Sequence, residues 1–206
     1  IKVIPNFVDT QAIVPMSRLT NYRRELGIDE SLVVMYAGNV GFSQSLELMI
    51  EAARVLPDVV FVINGEGAAR KSLEAKAQTL RNVKFGDYQD ASRLSEVLAT
   101  GDLHVVPLRR GLGSVSVPSK TYSILAAGRP ICAAIDSDTE VPRILAAANA
   151  GVCVEPDNKE AFVSAISAMI SDRKSLEEMG ASGRKWVEGH ASPQSIAQRY
   201  EALYMR

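Results

Sequence analysis

The sequence predicts an α/β domain: a Rossmann-like, doubly wound sheet of six parallel strands with extra helices at its C-terminal end. Three observations predict it. Short apolar runs alternate with amphipathic stretches through most of the chain, the signature of successive strand–helix units. The runs are apolar at consecutive positions rather than at every second one, so each strand buries both faces, as a parallel sheet covered by helices demands. Beyond the sixth run only helical periodicity remains.

The strands are expected at Leu32–Ala37, Val59–Ile63, Val83–Phe85, Leu103–Val106, Ile131–Ile135 and Gly151–Val154. Between them, apolar residues recur at helical spacing near Leu46–Leu56, Ala68–Leu80, Ser92–Ala99, Ser119–Ala127 and Val141–Ala148. The tail carries three further helical patterns, Lys159–Ile170, Arg173–Glu188 and Pro193–Tyr204, with Gly180 and Gly183 expected to break or kink the middle one. No internal repeat, low-complexity tract or second domain interrupts this order, so residues 1–206 read as a single domain.

Composition narrows the function classes. Hydrophobic residues make up 47% and charged residues 23% of the 206, ordinary values for a globular protein. A net charge of −1 excludes broad nucleic-acid binding, which needs a basic face. No apolar run approaches the roughly 20 residues of a membrane span. The opening residues Ile1–Asn6 read as a strand and turn rather than a signal peptide, and a start at Ile suggests a piece of a longer chain. Cys132 and Cys153 lie in apolar runs, as buried reduced thiols of a cytoplasmic protein would, and His104 and His190 stand too far from them to build a metal site. His104, inside an apolar strand, reads as a packed core residue rather than a base.

In a doubly wound sheet, ligands bind beyond the carboxyl ends of the strands. That rule selects the loops at Gly38–Ser45, Asn64–Ala68, Gly86–Asp90 and Pro107–Ser119. Gly38-Asn39-Val40-Gly41 is either a tight turn or a backbone approach to a phosphate. It is not a dinucleotide fingerprint, because Val40 and Ser43 stand where glycines are needed and Asn64 replaces the ribose-binding acid, which counts against an NAD(P)-dependent oxidoreductase. In Asn64-Gly65-Glu66-Gly67, Glu66 is expected to cap the following helix, or else to bond a sugar hydroxyl. Gly111–Ser116 suits a backbone cradle or a plain surface loop, with Arg109 and Arg110 adding charge or merely solvated. No nucleophile elbow, Walker loop or metal-ligand spacing occurs.

The segment Val117–Ile131 says most. Pro118-Ser119 opens a helix, with Ser119 as the expected side-chain cap. Tyr122, Leu125 and Ala126 form its apolar stripe, and Gly128 and Pro130 close it. Lys120 places a cation at the positive end of the helix dipole, which is unfavourable unless an anion sits there. The residue is therefore either a solvated surface lysine or one side of a phosphate site.

Taken in order, these pieces resemble the C-terminal, donor-binding half of a GT-B-fold retaining glycosyltransferase of the group 1 type. The resemblance covers essentially the whole chain. It is carried by Ile4-Pro5-Asn6-Phe7-Val8-Asp9, by Tyr36-Ala37-Gly38-Asn39, by Asn64-Gly65-Glu66-Gly67 with Arg70, by Pro118-Ser119-Lys120 with Leu125–Ile131, and by the closing helix Pro193–Tyr204. The Gly-Asn turn, Gln44 and the Pro-Ser-Lys form are similar to bacterial surface-polysaccharide transferases, including those handling N-acetylated amino sugars.

The resemblance implies a nucleoside-diphosphate sugar as substrate, most simply UDP-linked, and a polysaccharide or lipid-linked acceptor. It implies that Gly38, Asn39, Gly41 and Gln44, with Ser119 and Lys120, hold the diphosphate, that Tyr88 lies beside the base, and that Ser123 stands at the ribose position. Lys120 would carry the catalytic charge on the leaving diphosphate, with no metal and no other cofactor needed. The acceptor site would lie on an N-terminal half, leaving this portion inactive alone, in the cytoplasm or at the inner face of the membrane through that missing half. Two positions depart from the family's pattern: Gln44 replaces a common basic residue and Ser123 a common glutamate. A non-catalytic nucleotide-sugar-binding module with a drifted site is the alternative those departures raise.

Overall fold

Six parallel strands pair in the order β3-β2-β1-β4-β5-β6 in the computed structural model, which describes residues 4–113 and 118–205. The chain runs α1 (Asn21–Glu25), β1 (Val33–Ala37), α2 (Glu47–Val55), β2 (Val60–Asn64), α3 (Arg70–Ala77), β3 (Val83–Gly86), a short 3₁₀ turn (Ala91–Arg93), α4 (Leu94–Thr100) and β4 (Leu103–Pro107). It continues with α5 (Lys120–Ala126), β5 (Ile131–Ala134), α6 (Glu140–Ala148), β6 (Gly151–Val154), α7 (Lys159–Ile170), α8 (Arg173–His190) and α9 (Pro193–Tyr204). This is the doubly wound order, in which the chain reverses direction across the sheet between β1 and β4 and opens a crevice there. The register aligns the strand ends: Ala37 faces Asn64, Asn64 faces Gly86, and Pro107 faces Ala134.

The central strands feed two cores. Val34 and Tyr36 of β1 join Phe61 and Ile63 of β2 under α2, α3 and α7. On the opposite face, Val33 and Met35 pack with Tyr22 and Val97 of α1 and α4, while Val106, Ile131 and Ala133 pack under α5, α6 and α8. The two-sided burial explains why the strands read as continuous apolar runs.

Four expectations change. Gly180 and Gly183 do not interrupt α8, which is continuous over 18 residues. A Cβ on Gly180 would collide with the Gly128 carbonyl and one on Gly183 would meet Leu125 Cδ2 at 2.8 Å, so the glycines let α8 lie close on α5. Ser119 precedes α5 but makes no side-chain cap bond, because its own backbone is helical (φ −57°, ψ −28°); capping needs an extended residue whose hydroxyl can swing back to the first-turn amides. Gly128 does close α5, at φ +69°, with Gly128 N–H donating to Leu125 and Arg129 N–H to Ile124 in a Schellman arrangement. Glu66 caps nothing: it pairs with Arg70 at 2.6 Å, and Ala69, at the N-cap position of α3, offers no side-chain cap. Of the expected N-terminal strand, residues 1–3 lie outside the described residues and Ile4, Pro5 and Asn6 belong to no strand. The short helix α1 has no counterpart in the sequence reading.

Candidate functional site

The glycine loop after β1 and the loop after β2 are built against each other. Gly38 N–H donates to Asn64 O, Val40 N–H to Glu66 O at 2.8 Å, and Ala69 N–H to Val40 O at 3.0 Å. Side chains at Gly65 or Gly67 would run into the Gly38 and Val40 carbonyls, so these two glycines are what allows the backbones to meet. Arg70 ties the same corner together by donating to Gly65 O at 2.8 Å and Gly86 O at 3.1 Å, and pairing with Glu66, Glu74 and Asp87. Its role is scaffolding. The loop's own donors are largely taken, since Gly41 N–H is accepted by Gln44 Oε1 at 3.0 Å.

Beside this corner, at the carboxyl edge of β1 and β4, opens a cleft of about 490 Å³. Gly38, Asn39 and Gln44 form one wall, Ser119, Lys120 and Ser123 another, and Tyr88, 56% exposed, stands at the mouth. Gly41 lies outside the lining. The third wall joins Asp90 and Leu108, which fall in loops selected from the sequence, to residues the sequence did not single out: Ala91 of the 3₁₀ turn, Leu94, Val97 and Leu98 of α4, and Val106 of β4. Its signals were present, as the Asp90 cap on Ser92 and the Leu94, Val97, Leu98 spacing of a helix face. The cleft is thus apolar on the α4 side and polar on the α5 side, a division suited to a ring with an anionic tail.

The charge centre is Lys120. Its Nζ donates to Tyr36 Oη at 2.6 Å and lies 3.8 Å from the centroid of the Tyr36 ring. No carboxylate pairs with it among the described residues, and burial holds its amine down to about 7. Burial raises the Tyr36 phenol, which stays protonated and donates to Asn39 O at 2.6 Å. An uncompensated ammonium at the start of α5, facing a cleft, is a group that an anion would complete.

Other candidates fall away on geometry. His104 is fully buried in β4, bonds Leu98 O through Nε2 at 2.8 Å, and is pushed down to about 4 by burial, a neutral core residue. Arg109 donates to Phe42 O at 2.6 Å and pairs with Glu47, and Arg110 pairs with Glu155 at 3.3 Å. Gly111 and Gly113 N–H groups donate to Asp136, so the described part of that glycine stretch is anchored on an acid. Its remainder, Ser114–Ser116, and Val117 after it lie outside the described residues. Both cysteines are free, and burial raises Cys132 to about 12 and Cys153, which is only partly buried, to about 11. Among the described residues no three metal-ligating side chains cluster, and no helix is long and apolar enough to cross a membrane.

Residues 20–186 match the family model for group 1 glycosyl transferases. The chain belongs to that family. Among curated relatives, it is 37% identical over 143 residues to the WcaI colanic acid biosynthesis glycosyl transferase of Escherichia coli K12, a match covering 67% of this chain and 35% of that protein. Among solved structures, sucrose-phosphate synthase of Thermosynechococcus elongatus superposes with a TM-score of 0.83 at 20% identity, over 99% of this chain and 52% of the other. Anabaena HepE, solved with UDP and glucose, gives 0.79 at 17% identity, over 99% of this chain and 56% of the other. The chain therefore has the Rossmann-like architecture of the C-terminal domain of GT-B group 1 transferases, and spans about a third of the length of that curated relative.

Proposed function

We propose that this chain is the donor-binding portion of a transferase that moves a sugar, of hexosyl or N-acetylhexosaminyl type, from a UDP-linked donor to a polysaccharide or lipid-linked acceptor. The observation that carries the reading is Lys120: a buried amine with no counter-ion among the described residues, fixed at the rim of a cleft that is apolar on its far side. Family membership and the polysaccharide assignment of the WcaI relative support it, as does UDP in the HepE complex. In this reading the diphosphate lies between the Gly38–Asn39 loop, the Gln44 amide and the Ser119-Lys120 turn. The base lies against Leu94, Val97 and Leu98 beneath Tyr88, and the ribose lies near Ser123.

Transfer breaks the bond between the anomeric carbon and the donor's β-phosphate oxygen and forms one from that carbon to the acceptor's hydroxyl oxygen, whose proton leaves with the nucleoside diphosphate or to solvent. The electron pair stays on that oxygen, and Lys120 stabilises the charge growing there from a position fixed before the reaction. No metal is needed when an ammonium and the start of α5 do this work. The acceptor site and the remaining catalytic groups belong to an N-terminal half, and the reaction takes place in the cytoplasm, at the membrane's inner face if that half docks there.

Calorimetric titration of the chain with UDP, with GDP for comparison, tests the reading. UDP should bind, and Lys120→Ala should weaken it by roughly tenfold or more, the weight of one charge-assisted contact. Absence of nucleoside-diphosphate binding at millimolar concentration would refute it.

A further inference from the structure

Tyr36 is out of place in its strand. Its neighbours Val33, Val34 and Met35 are aliphatic or thioether side chains that only fill space, whereas Tyr36 carries a hydroxyl into a site with no exposure at all. A phenylalanine would serve packing alone, and a buried hydroxyl costs free energy unless its bonds are made. Both are made. The phenolic proton goes to Asn39 O at 2.6 Å, which leaves an oxygen lone pair facing outward, and Lys120 Nζ donates to it at 2.6 Å.

The ring contributes separately. With Nζ 3.8 Å from its centroid, displaced towards the hydroxyl it bonds, the ammonium also lies over the oxygen end of the π-system. On the other side, a Cβ at Gly38 would come within 2.9 Å of Nζ, so the lysine occupies space that only glycine leaves open. Three parts of the chain far apart in sequence, β1, the glycine loop and α5, thus converge on one ammonium.

We infer that Tyr36 is the positioning residue for Lys120: its ring and hydroxyl fix the ammonium at the cleft wall and link it to the glycine loop through the Asn39 carbonyl. This rests on the donor-site reading above. A free lysine side chain must lose rotamer freedom when it grips a phosphate. Held by Tyr36, Lys120 has lost it already, so more of the contact energy appears as affinity and as stabilisation of the leaving group. The same link makes the glycine loop and the lysine move as one unit. A diphosphate that draws on Nζ also bears on the loop that flanks it.

The test is a double-mutant cycle, with UDP and uridine as probes and calorimetry on the chain at fixed salt. Tyr36→Phe keeps the ring and removes the hydroxyl. It should weaken UDP by about tenfold, one charge-assisted hydrogen bond's worth of positioning, while leaving uridine unchanged. Lys120→Met should abolish the preference for UDP over uridine, and adding Tyr36→Phe to it should change nothing further. If Tyr36→Phe weakens uridine as much as UDP, or acts equally with and without Lys120, the residue is merely structural and the inference is overturned. If Lys120→Met binds UDP like the unaltered chain, the donor-site reading itself fails. Should Tyr36→Phe not fold, 3-fluorotyrosine at position 36 weakens the hydroxyl as an acceptor with almost no change in volume. UDP binding several-fold weaker with uridine unaffected supports the inference, and equal UDP binding overturns it.

Discussion

Lys120 is held near neutrality by burial, with an amine brought down to about 7 from an ordinary 10.5. The titrating groups around it do not compensate: His104 is held down to about 4 and Tyr36 is raised, so both stay uncharged through the neutral range. A bound diphosphate would restore the ammonium, so the complex holds its proton to higher pH than the free chain. UDP affinity should therefore fall as pH rises above about 7, by up to about tenfold per unit until the amine of the complex titrates. The free chain should behave oppositely. Between about pH 7 and 10.5 the unfolded state binds the lysine proton and the folded state does not, so the Lys120 contribution raises stability with pH. Titrations with UDP and melting curves without it, over the same buffers, check both signs. An affinity that is flat across this range would contradict the role given to Lys120.

Ser123 lies one helical turn beyond Lys120 and lines the same cleft. A site adapted to serine should lose donor affinity several-fold in Ser123→Glu, because the longer side chain fills space that a serine-shaped wall leaves to the ribose. A gain in UDP affinity would instead favour the drifted, non-catalytic alternative. Residue types, then, were readable at this site, but contacts were not. Lys120 stood out because a cation at a helix start is locally unfavourable. Tyr36 did not, since a tyrosine in a β-run satisfies strand propensity and its hydroxyl partners lie 3 and 84 positions away in sequence.

At the level of elements, α5 is aimed by its packing. Its end at Gly128 meets Gly180 of α8, where there is no room for a side chain. Gly180→Ala should therefore cost about 1–3 kcal/mol through overpacking, although alanine is the better helix former. Thermal or denaturant unfolding measures this, and a stabilised variant would contradict the close packing of α5 on α8. The same pair of glycines shows why the sequence misleads here. Glycine inside a helical pattern reads as a breaker by local propensity, and only the neighbouring helix reveals that it is a contact. Ser119 illustrates the converse, a good capping residue whose backbone is drawn into the helix. The strands were legible because burial on both faces writes itself as an uninterrupted apolar run bounded by Gly, Pro and Asn. The five-residue α1 was not: it is too short to show a period and is held by tertiary contacts of Tyr22 and Arg23.

For the whole molecule, the doubly wound order places every candidate loop at one edge of the sheet, which made the location of the cleft readable before its walls. The wall from the 3₁₀ turn and α4 escaped because apolar residues at helical spacing signal a core, and nothing local marks which of them face a cavity. This chain covers 35% of the WcaI relative and 56% of HepE, and under the proposed function its share of the reaction is donor binding. The central claim concerns where the diphosphate lies. A crystal structure of the chain with UDP measures it directly. The account predicts a β-phosphate oxygen about 2.8 Å from Lys120 Nζ, the distance of a charge-assisted hydrogen bond, with the uracil on the Leu94–Leu98 wall beneath Tyr88. UDP bound elsewhere, or in the cleft with its phosphates turned from Lys120 while the ammonium stays on Tyr36 alone, would contradict it.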